Sequence, residues 1–428
     1  MSSLSDYESF AGQGTVDEIR LLAERLKGRR IRTINATRLG GGVAEILQRM
    51  VPLLTELGID IRWDVLEGTE PFFKVTKKMH NALHGKKETF TSEMFELFLA
   101  VGEQNLERLK LDGDIYFIHD PQPIAFVQHR RTMGGRWVWR CHIDVSRPQQ
   151  EVWAFLRPFI LQYDAAVYSA SAFVQQLPLR QVLIAPSIDP LSKKNEELSS
   201  EMVAQVLERL EIPRDEPIIT QVSRFDYLKD PLGVIEAFRS VRKSVRCRLV
   251  LAGGPATDDP ESAEVLDRAR EMAHNDSEIH LLMLPPTSDL EINALQRAST
   301  VVVQKSIREG FGLTVSEALW KAKPVVASAV GGIPLQVKHG YSGLLVHSIE
   351  GAAHAIKQTL RNPTMARRLG ENGREHVREN FLLTRHIKDY LLTFLTLDTS
   401  EDVVYLNSPD RKTETARNAD VHAAKAAS

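Results

Sequence analysis

Cysteine is nearly missing from this chain: its 428 residues contain two, Cys141 and Cys247. They lie far apart and form no C-x-x-C pair. That excludes a disulfide framework and a thiolate zinc site, and it suits a reducing compartment. Long apolar runs are missing as well. No stretch approaches the ~20 residues that a spanning helix needs, so no membrane span is expected. Neither sign of charge is in excess, with 54 Lys and Arg against 56 Asp and Glu and a net charge of -2. A dedicated nucleic-acid binder carries a basic excess, so no nucleic-acid partner is expected. A local basic pocket for phosphates is still allowed. The opening residues, MSSLSDYESFAGQGTVDE, have neither a basic region nor an apolar core. A secretory signal is therefore not expected, and a cytoplasmic setting is.

What is present is an ordinary globular composition, 43% hydrophobic and 26% charged, in a length that fits two domains. Short apolar runs alternate with longer amphipathic ones. In the first half the runs 30–35, 60–66, 115–119, 137–142, 165–169 and 182–185 read as strands, and 43–57 and 90–109 as helices. Around Ile184-Ala185-Pro186-Ser187-Ile188-Asp189-Pro190 the periodicity stops and two prolines mark a linker. A second series follows, with strands at 218–223, 248–252, 279–283, 301–304, 324–328 and 343–346. Its helices are 231–242, 263–274, 289–298 and 313–321. A last amphipathic helix covers 384–395, and the polar tail from 399 to 428 is expected to be disordered. Alternating βα units predict an α/β protein with a mainly parallel sheet in each half. The divisions are a domain at 1–187, a second at 188–383 and a closing helix at 384–398. Ligands of such sheets bind beyond the carboxyl ends of the strands, so function is expected in the cleft between the domains.

The motifs that carry chemistry stand at strand ends. Glu309-Gly310-Phe311-Gly312-Leu313-Thr314-Val315-Ser316-Glu317, with Arg308 before it, follows a strand and opens a helix. Glycines let the backbone approach a ligand, and free N–H groups at a helix start favour an anion such as a diphosphate. Glu309 in the loop can accept from sugar hydroxyls, and Glu317 inside the helix can reach a ribose. The alternative is a plain glycine loop with two solvated glutamates. Ser223-Arg224-Phe225-Asp226-Tyr227-Leu228-Lys229 follows another strand. Its two cations suit a diphosphate leaving group, unless they simply pair with Asp226 or Asp230.

In the first half, Arg38-Leu39-Gly40-Gly41-Gly42-Val43-Ala44-Glu45 makes a third strand–glycine–helix turn. It can cradle phosphates, hold an acceptor sugar, or merely turn the chain. It is not G-x-G-x-x-G, so no dinucleotide cofactor is expected. His119-Asp120-Pro121-Gln122 and His142-Ile143-Asp144 end two more strands. Either histidine can meet a sugar hydroxyl or the reacting centre, or sit satisfied beside the cleft. Their spacing fits no common metal signature, and no metal is expected. Asp112-Gly113-Asp114 has the D-x-D form but precedes a strand, at the wrong end for the cleft, and reads as a solvated turn. Gly253-Gly254-Pro255 is a strand-end loop to which no chemistry is assigned.

E-x7-E around Gly310-Phe311-Gly312, the upstream R-x4-K, the Gly331-Gly332-Ile333-Pro334 turn and the N-terminal glycine loop together resemble the retaining family-4 glycosyltransferases. The resemblance covers roughly residues 30–395. In the first half RLGGGVAEIL, IHDPQP, WRCHIDVSRP and PFILQYDAAVYS look closest to the trehalose glycosyltransferring synthases. This implies a GT-B fold, two Rossmann-like doubly wound domains facing a central cleft. It implies metal-independent transfer of glucose from UDP-glucose or ADP-glucose to a small sugar acceptor, glucose, giving trehalose. Retaining trehalose phosphorylases share these motifs and use phosphate. The non-enzymatic alternative is a sugar- or nucleotide-binding protein on the same plan, which has no need of the complete pair of motifs.

Residue by residue, the resemblance implies Arg224 and Lys229 on the donor diphosphate and Glu309 on the donor sugar. The backbone amides of Gly310, Phe311, Gly312 and Leu313 would assist, and Glu317 would contact the ribose. His142 stands at the position of the active-site histidine near the transferred sugar. Gly41 and Gly42 would line the phosphate or acceptor side, and His119, Asp120 and Gln122 are acceptor candidates. The catalytic set is His142, Arg224, Lys229 and Glu309. Leu335 stands where many relatives carry a glutamate, with little effect expected. A homodimer is implied too. No carboxylate in these motifs is clearly placed beneath the anomeric carbon. Same-face attack is therefore expected, with the leaving diphosphate taking the acceptor proton, rather than a carboxylate nucleophile.

Overall fold

The computed structural model describes residues 3–38, 41–254, 260–274 and 276–398. Leu39, Gly40, Pro255 and the tail read above as disordered lie outside the described residues.

Strands β1 (Arg30–Asn35), β2 (Asp60–Val65), β3 (Ile115–His119), β4 (Arg136–Cys141), β5 (Ala165–Tyr168) and β6 (Arg180–Leu183) form one parallel sheet, in the order β2-β1-β3-β4-β5-β6. Strands β7 (Ile218–Val222), β8 (Arg248–Gly253), β9 (Ile279–Met283), β10 (Val301–Gln304), β11 (Val325–Ser328) and β12 (Leu344–Val346) form a second, in the order β12-β11-β10-β7-β8-β9. β3, β5, β7, β8, β10 and β11 are buried along their whole length. Helices cover both faces of such sheets, which is why the strands read as unbroken apolar runs.

Each sheet reverses its strand order once, between β1 and β3 and between β7 and β10. Loops that leave neighbouring strands at such a point diverge to opposite faces and open a crevice. The loops after β1 and β3 carry Gly41, Gly42 and Asp120; those after β7 and β10 carry Arg224, Lys229 and Glu309. Topology alone therefore brings the motifs to the mouths of the two sheets.

The two halves are tied by chain crossings. The Ile188 N–H donates to the Phe381 carbonyl at 2.8 Å, and the Leu383 N–H to the Ile188 carbonyl at 2.9 Å. The outgoing linker thus runs beside the returning chain as a parallel bridge. Helix Leu383–Thr396 then buries Ile387, Tyr390, Leu391 and Phe394 in one core with Phe117, Val138 and Val167 of the first sheet. Phe117 meets Tyr390 and Phe394 at ring distances of 4.9 and 5.4 Å.

The N-terminal segment, read above only as polar and unsignalled, is folded. Helix Gln13–Glu24 buries Val16, Ile19, Leu22 and Ala23. Before it, Tyr7 Oη donates to Asp189 at 3.0 Å, and Phe10 meets Trp320 of the second half edge-on at 5.8 Å. The turn Asp112-Gly113-Asp114 is not merely solvated: Arg30, Arg32 and Arg62 pair with its carboxylates at 3.1 to 3.6 Å, bracing the amino end of the first sheet. No helix among the described residues is long and apolar enough to cross a membrane.

Candidate active site

The second-half side of the cleft is built around one ion pair. Lys229 Nζ donates to Glu309 Oε2 at 2.6 Å. The same oxygen accepts from Ser306 Oγ at 3.1 Å and from Gln304 Nε2 at 3.4 Å. Burial pushes the Glu309 carboxyl up, but Lys229 and Ser306 outweigh it and hold the pKa below the ordinary value. The Glu309 carboxyl is therefore ionised at neutral pH. The Lys229 carbonyl accepts from Gln221 at 2.9 Å, and its N–H donates to Asp226, which caps the short turn Tyr227–Lys229. Arg224 pairs with Asp226 at 3.0 Å and keeps its head half exposed at the mouth of the cleft.

The Gly331-Gly332-Ile333-Pro334 turn holds Glu309 from behind. Gly331 sits at φ +55°, and a Cβ there would lie 1.6 Å from the Glu309 carbonyl oxygen. The Gly332 N–H donates to the Gly310 carbonyl at 3.0 Å. Leu335 is 38% exposed and lies at the surface of this turn. Gly331→Ala must push the Glu309 backbone aside. We expect a fall in turnover of about a hundredfold, the size of effect an ångström of misplacement produces. Steady-state kinetics would read it, and wild-type turnover would contradict the supporting role.

The first half supplies the opposite wall. Asp120 adopts a left-handed conformation, φ +61°, and its Oδ1 accepts the His142 N–H at 2.8 Å. Burial pushes the Asp120 carboxyl up to about 6. Gln122 Oε1 is buried and has no hydrogen-bond partner in the protein. His119 is only 2% exposed and both its ring nitrogens are engaged. Its Nε2 lies 2.9 Å from Thr33 Oγ1 and its Nδ1 lies 3.0 Å from His142 Nε2. The acceptor candidate His119 therefore stands behind His142 instead of opening to a sugar.

The two walls touch. A Cβ on Gly310 would lie 2.7 Å from the His142 carbonyl oxygen, and one on Gly42 would lie 2.6 Å from Leu313. Arg308 reaches across to Asp144 at 3.7 Å. Glu317 is buried, and its Oε1 stands 3.9 Å from Lys194 Nζ while its Oε2 has no partner. Lys194, just after the linker, also pairs with Glu45 of the first half at 2.9 Å and with Asp289 at 3.7 Å. Glu45, Lys194, Asp289, Leu313 and Glu317 line a cavity of about 70 Å³ between the halves.

Sequence reasoning missed two histidines. His80, in helix Glu70–Leu83, and His84, just after it, stack edge-on at 4.8 Å. Burial lowers His84 to about 4, with Asp144 and Glu309 acting against it. Burial, then His84 and Lys77, and more weakly Arg224 and Lys229, hold His80 well below its usual value. Both side chains thus feel the charged groups of the opposite wall. The spacing of four on one helix face was the available signal. Among the described residues no group of three or more His, Cys, Asp or Glu is placed to hold a metal ion.

Comparison with known proteins places this geometry. Residues 33–175 match the family model for the trehalose synthase N-terminal domain, and residues 204–376 match that for group 1 glycosyl transferases. A trehalose synthase from Thermococcus litoralis is 44% identical over 398 residues, 91% of this chain and 95% of that one. Another, from Rubrobacter xylanophilus, is 44% identical over 405 residues, 92% of this chain and 97% of that one. Among solved structures, a UDP-forming α,α-trehalose-phosphate synthase from Burkholderia xenovorans superposes with a TM-score of 0.72 at 16% identity, covering 87% of this chain and 100% of that one. At that identity the likeness speaks for the fold, and the fold is GT-B. The chain belongs to the trehalose synthase family of group 1 glycosyltransferases.

Proposed function

We propose that this enzyme transfers glucose from UDP-glucose or ADP-glucose to free glucose with retention, forming trehalose. The observation that carries the reading is the largely buried Lys229–Glu309 pair, 2.6 Å long, at the switch point of one sheet, in a loop whose Gly310 packs against the His142 carbonyl of the other half. Residues 188–383 would hold the donor and residues 1–187 the acceptor, with the helix at 384–398 returning to the first half.

In this reading Arg224 and Lys229 take the diphosphate. The N–H groups of Gly310, Phe311, Gly312 and Leu313, at the start of helix Leu313–Trp320, add to that anion site. Glu309 accepts from hydroxyls of the donor sugar, and the unpartnered oxygen of Glu317 accepts from a ribose hydroxyl. His142 meets the transferred sugar. Gly41 and Gly42 let the first half close on the donor. Asp120 and Gln122 accept from the acceptor sugar.

The reaction then balances without a carboxylate nucleophile. The acceptor oxygen bonds to the anomeric carbon on the face that the diphosphate leaves. The carbon–oxygen bond to the diphosphate breaks, and the acceptor proton passes to a diphosphate oxygen. Arg224 and Lys229 stabilise the charge that develops there, and positioning supplies much of the rest. A homodimer and a cytoplasmic setting complete the proposal, the first read by light scattering.

Purified protein is incubated with UDP-glucose or ADP-glucose, glucose and EDTA, and products are read by mass spectrometry. A non-reducing disaccharide with release of the nucleoside diphosphate is expected. Glucose 1-phosphate from trehalose and phosphate, with no disaccharide from the nucleotide sugars, would replace the proposal with a phosphorylase.

A further inference from the structure

Thr33 in β1, His119 at the end of β3 and His142 just beyond β4 come from three neighbouring strands. Thr33 is in register with Phe117, and His119 with Arg140. Side chains two apart along a strand share a face, so Thr33, His119 and His142 form one row across the sheet. In that row Thr33 Oγ1 lies 2.9 Å from His119 Nε2, and His119 Nδ1 lies 3.0 Å from His142 Nε2. The two rings are within 12° of parallel.

We infer that His119 is a positioning residue, which holds the His142 ring by its Nε2 and leaves Nδ1 as the only ring nitrogen that His142 can offer the sugar. The inference rests on the proposed role of His142. A neutral imidazole has one N–H and one acceptor nitrogen, so the row has two self-consistent states. In one, Thr33 donates to His119, His119 donates to His142, and His142 donates from Nδ1. In the other every bond reverses, and His142 Nδ1 accepts from a sugar hydroxyl. Thr33 permits both, because a hydroxyl can donate or accept. Burial and the nearby Arg140 keep both rings neutral, as either state requires. If His119 served only as core packing, any side chain of similar volume would replace it.

Two variants separate these cases in the full chain. His119→Asn places an amide where Nδ1 was, so it keeps the contact to His142 and loses Thr33. His119→Gln reaches the position of Nε2, so it keeps Thr33 and loses His142. Misplacing a reacting group by about an ångström costs up to about 100-fold. We expect the Asn variant to stay within about threefold of wild-type kcat and the Gln variant to lose about thirtyfold, with the donor KM of both little changed. Thermal melting should drop equally in the two. Equal kinetic losses, or a larger loss in the Asn variant, would overturn the inference.

The imidazole nitrogen NMR spectrum gives a readout independent of activity. The His142 ring should change tautomer distribution in the Gln variant and keep it in the Asn variant; a His142 signal unaltered in the Gln variant would also overturn the inference. Wild-type protein that forms no trehalose would instead sink the functional reading, and the spectrum would still decide the role of His119.

Discussion

Lys229→Met should leave the chain folded and lower kcat by about a thousandfold, the upper end of what one preorganised charge-stabilising group contributes. Two effects combine. The diphosphate loses the cation nearest its developing charge, and Glu309 loses its ion pair. That carboxylate is 8% exposed in its side chain, with Ser306 and Gln304 left, among the described residues, to donate to it. Breaking a buried pair by removing one partner costs about 3–5 kcal/mol, so the variant should also melt earlier. The double variant Lys229→Met with Glu309→Gln tells the effects apart, because a neutral amide needs no countercharge. It should recover much of the melting temperature and none of the turnover. Steady-state kinetics and calorimetry on the three proteins make the comparison. A Lys229→Met enzyme within tenfold of wild type would remove Lys229 from the mechanism.

Acid should unfold this protein steeply, starting below pH 6.5. Burial depresses the pKa of His84 to about 4 and that of His119 to about 3, and holds His142 and His386 well below the usual value. In the unfolded chain each takes a proton near pH 6.5. Between that pH and about 4 the unfolded state therefore binds more protons, and stability falls as pH falls. Each histidine contributes up to about 1.4 kcal/mol per pH unit in that window. Asp120 acts the other way, because its folded-state pKa of about 6 lets the native protein take up a proton first. His80 adds a fifth histidine, and Glu45 and Asp189, also pushed up by burial, act as Asp120 does; five histidines against three carboxyls leave about two protons, or about 3 kcal/mol per pH unit. A fold of ordinary stability, about 5–15 kcal/mol, exhausts that within a few units of pH. Melting temperatures measured from pH 8 to 4.5 should ease down from pH 8 to 7, where burial of the Lys321 amine, pushed down to about 7, leaves it fewer protons than in the unfolded chain, and then drop sharply. A flat profile down to pH 5 would show that these rings are not buried neutral.

The strands were legible because parallel strands buried on both faces have nothing to alternate with: Ile115–His119 and Val301–Gln304 read as short apolar runs. The strand–glycine–helix turns were legible because glycine and a following helix leave a local mark. What was not legible depends on closure in space. The glycine turn at Gly331 was visible, but that it presses on Glu309 requires β10 and β11 to lie side by side. His119 looked like a cleft residue in sequence. Register places it behind His142, since the strand beside it decides which nitrogen finds a partner. His80 and His84 sit on and just after a helix, Glu70–Leu83, that was not read in the sequence, and Glu309, Lys229, Arg224 and Arg308, which act on them, come from the other half of the chain. The D-x-D turn was correctly kept away from the cleft, but its ion pairs with Arg30, Arg32 and Arg62 come from neighbouring strand ends.

The central claim is transfer to the anomeric oxygen of glucose with retention, and the product itself tests it most directly. With a nucleotide-glucose donor labelled with carbon-13 at its anomeric carbon and unlabelled glucose as acceptor, NMR reads both linkage and configuration. The prediction is a single non-reducing disaccharide joined anomeric carbon to anomeric carbon, with the labelled centre in the α configuration it had in the donor. A reducing disaccharide would contradict the acceptor assignment, and a β-configured labelled centre would contradict same-face transfer.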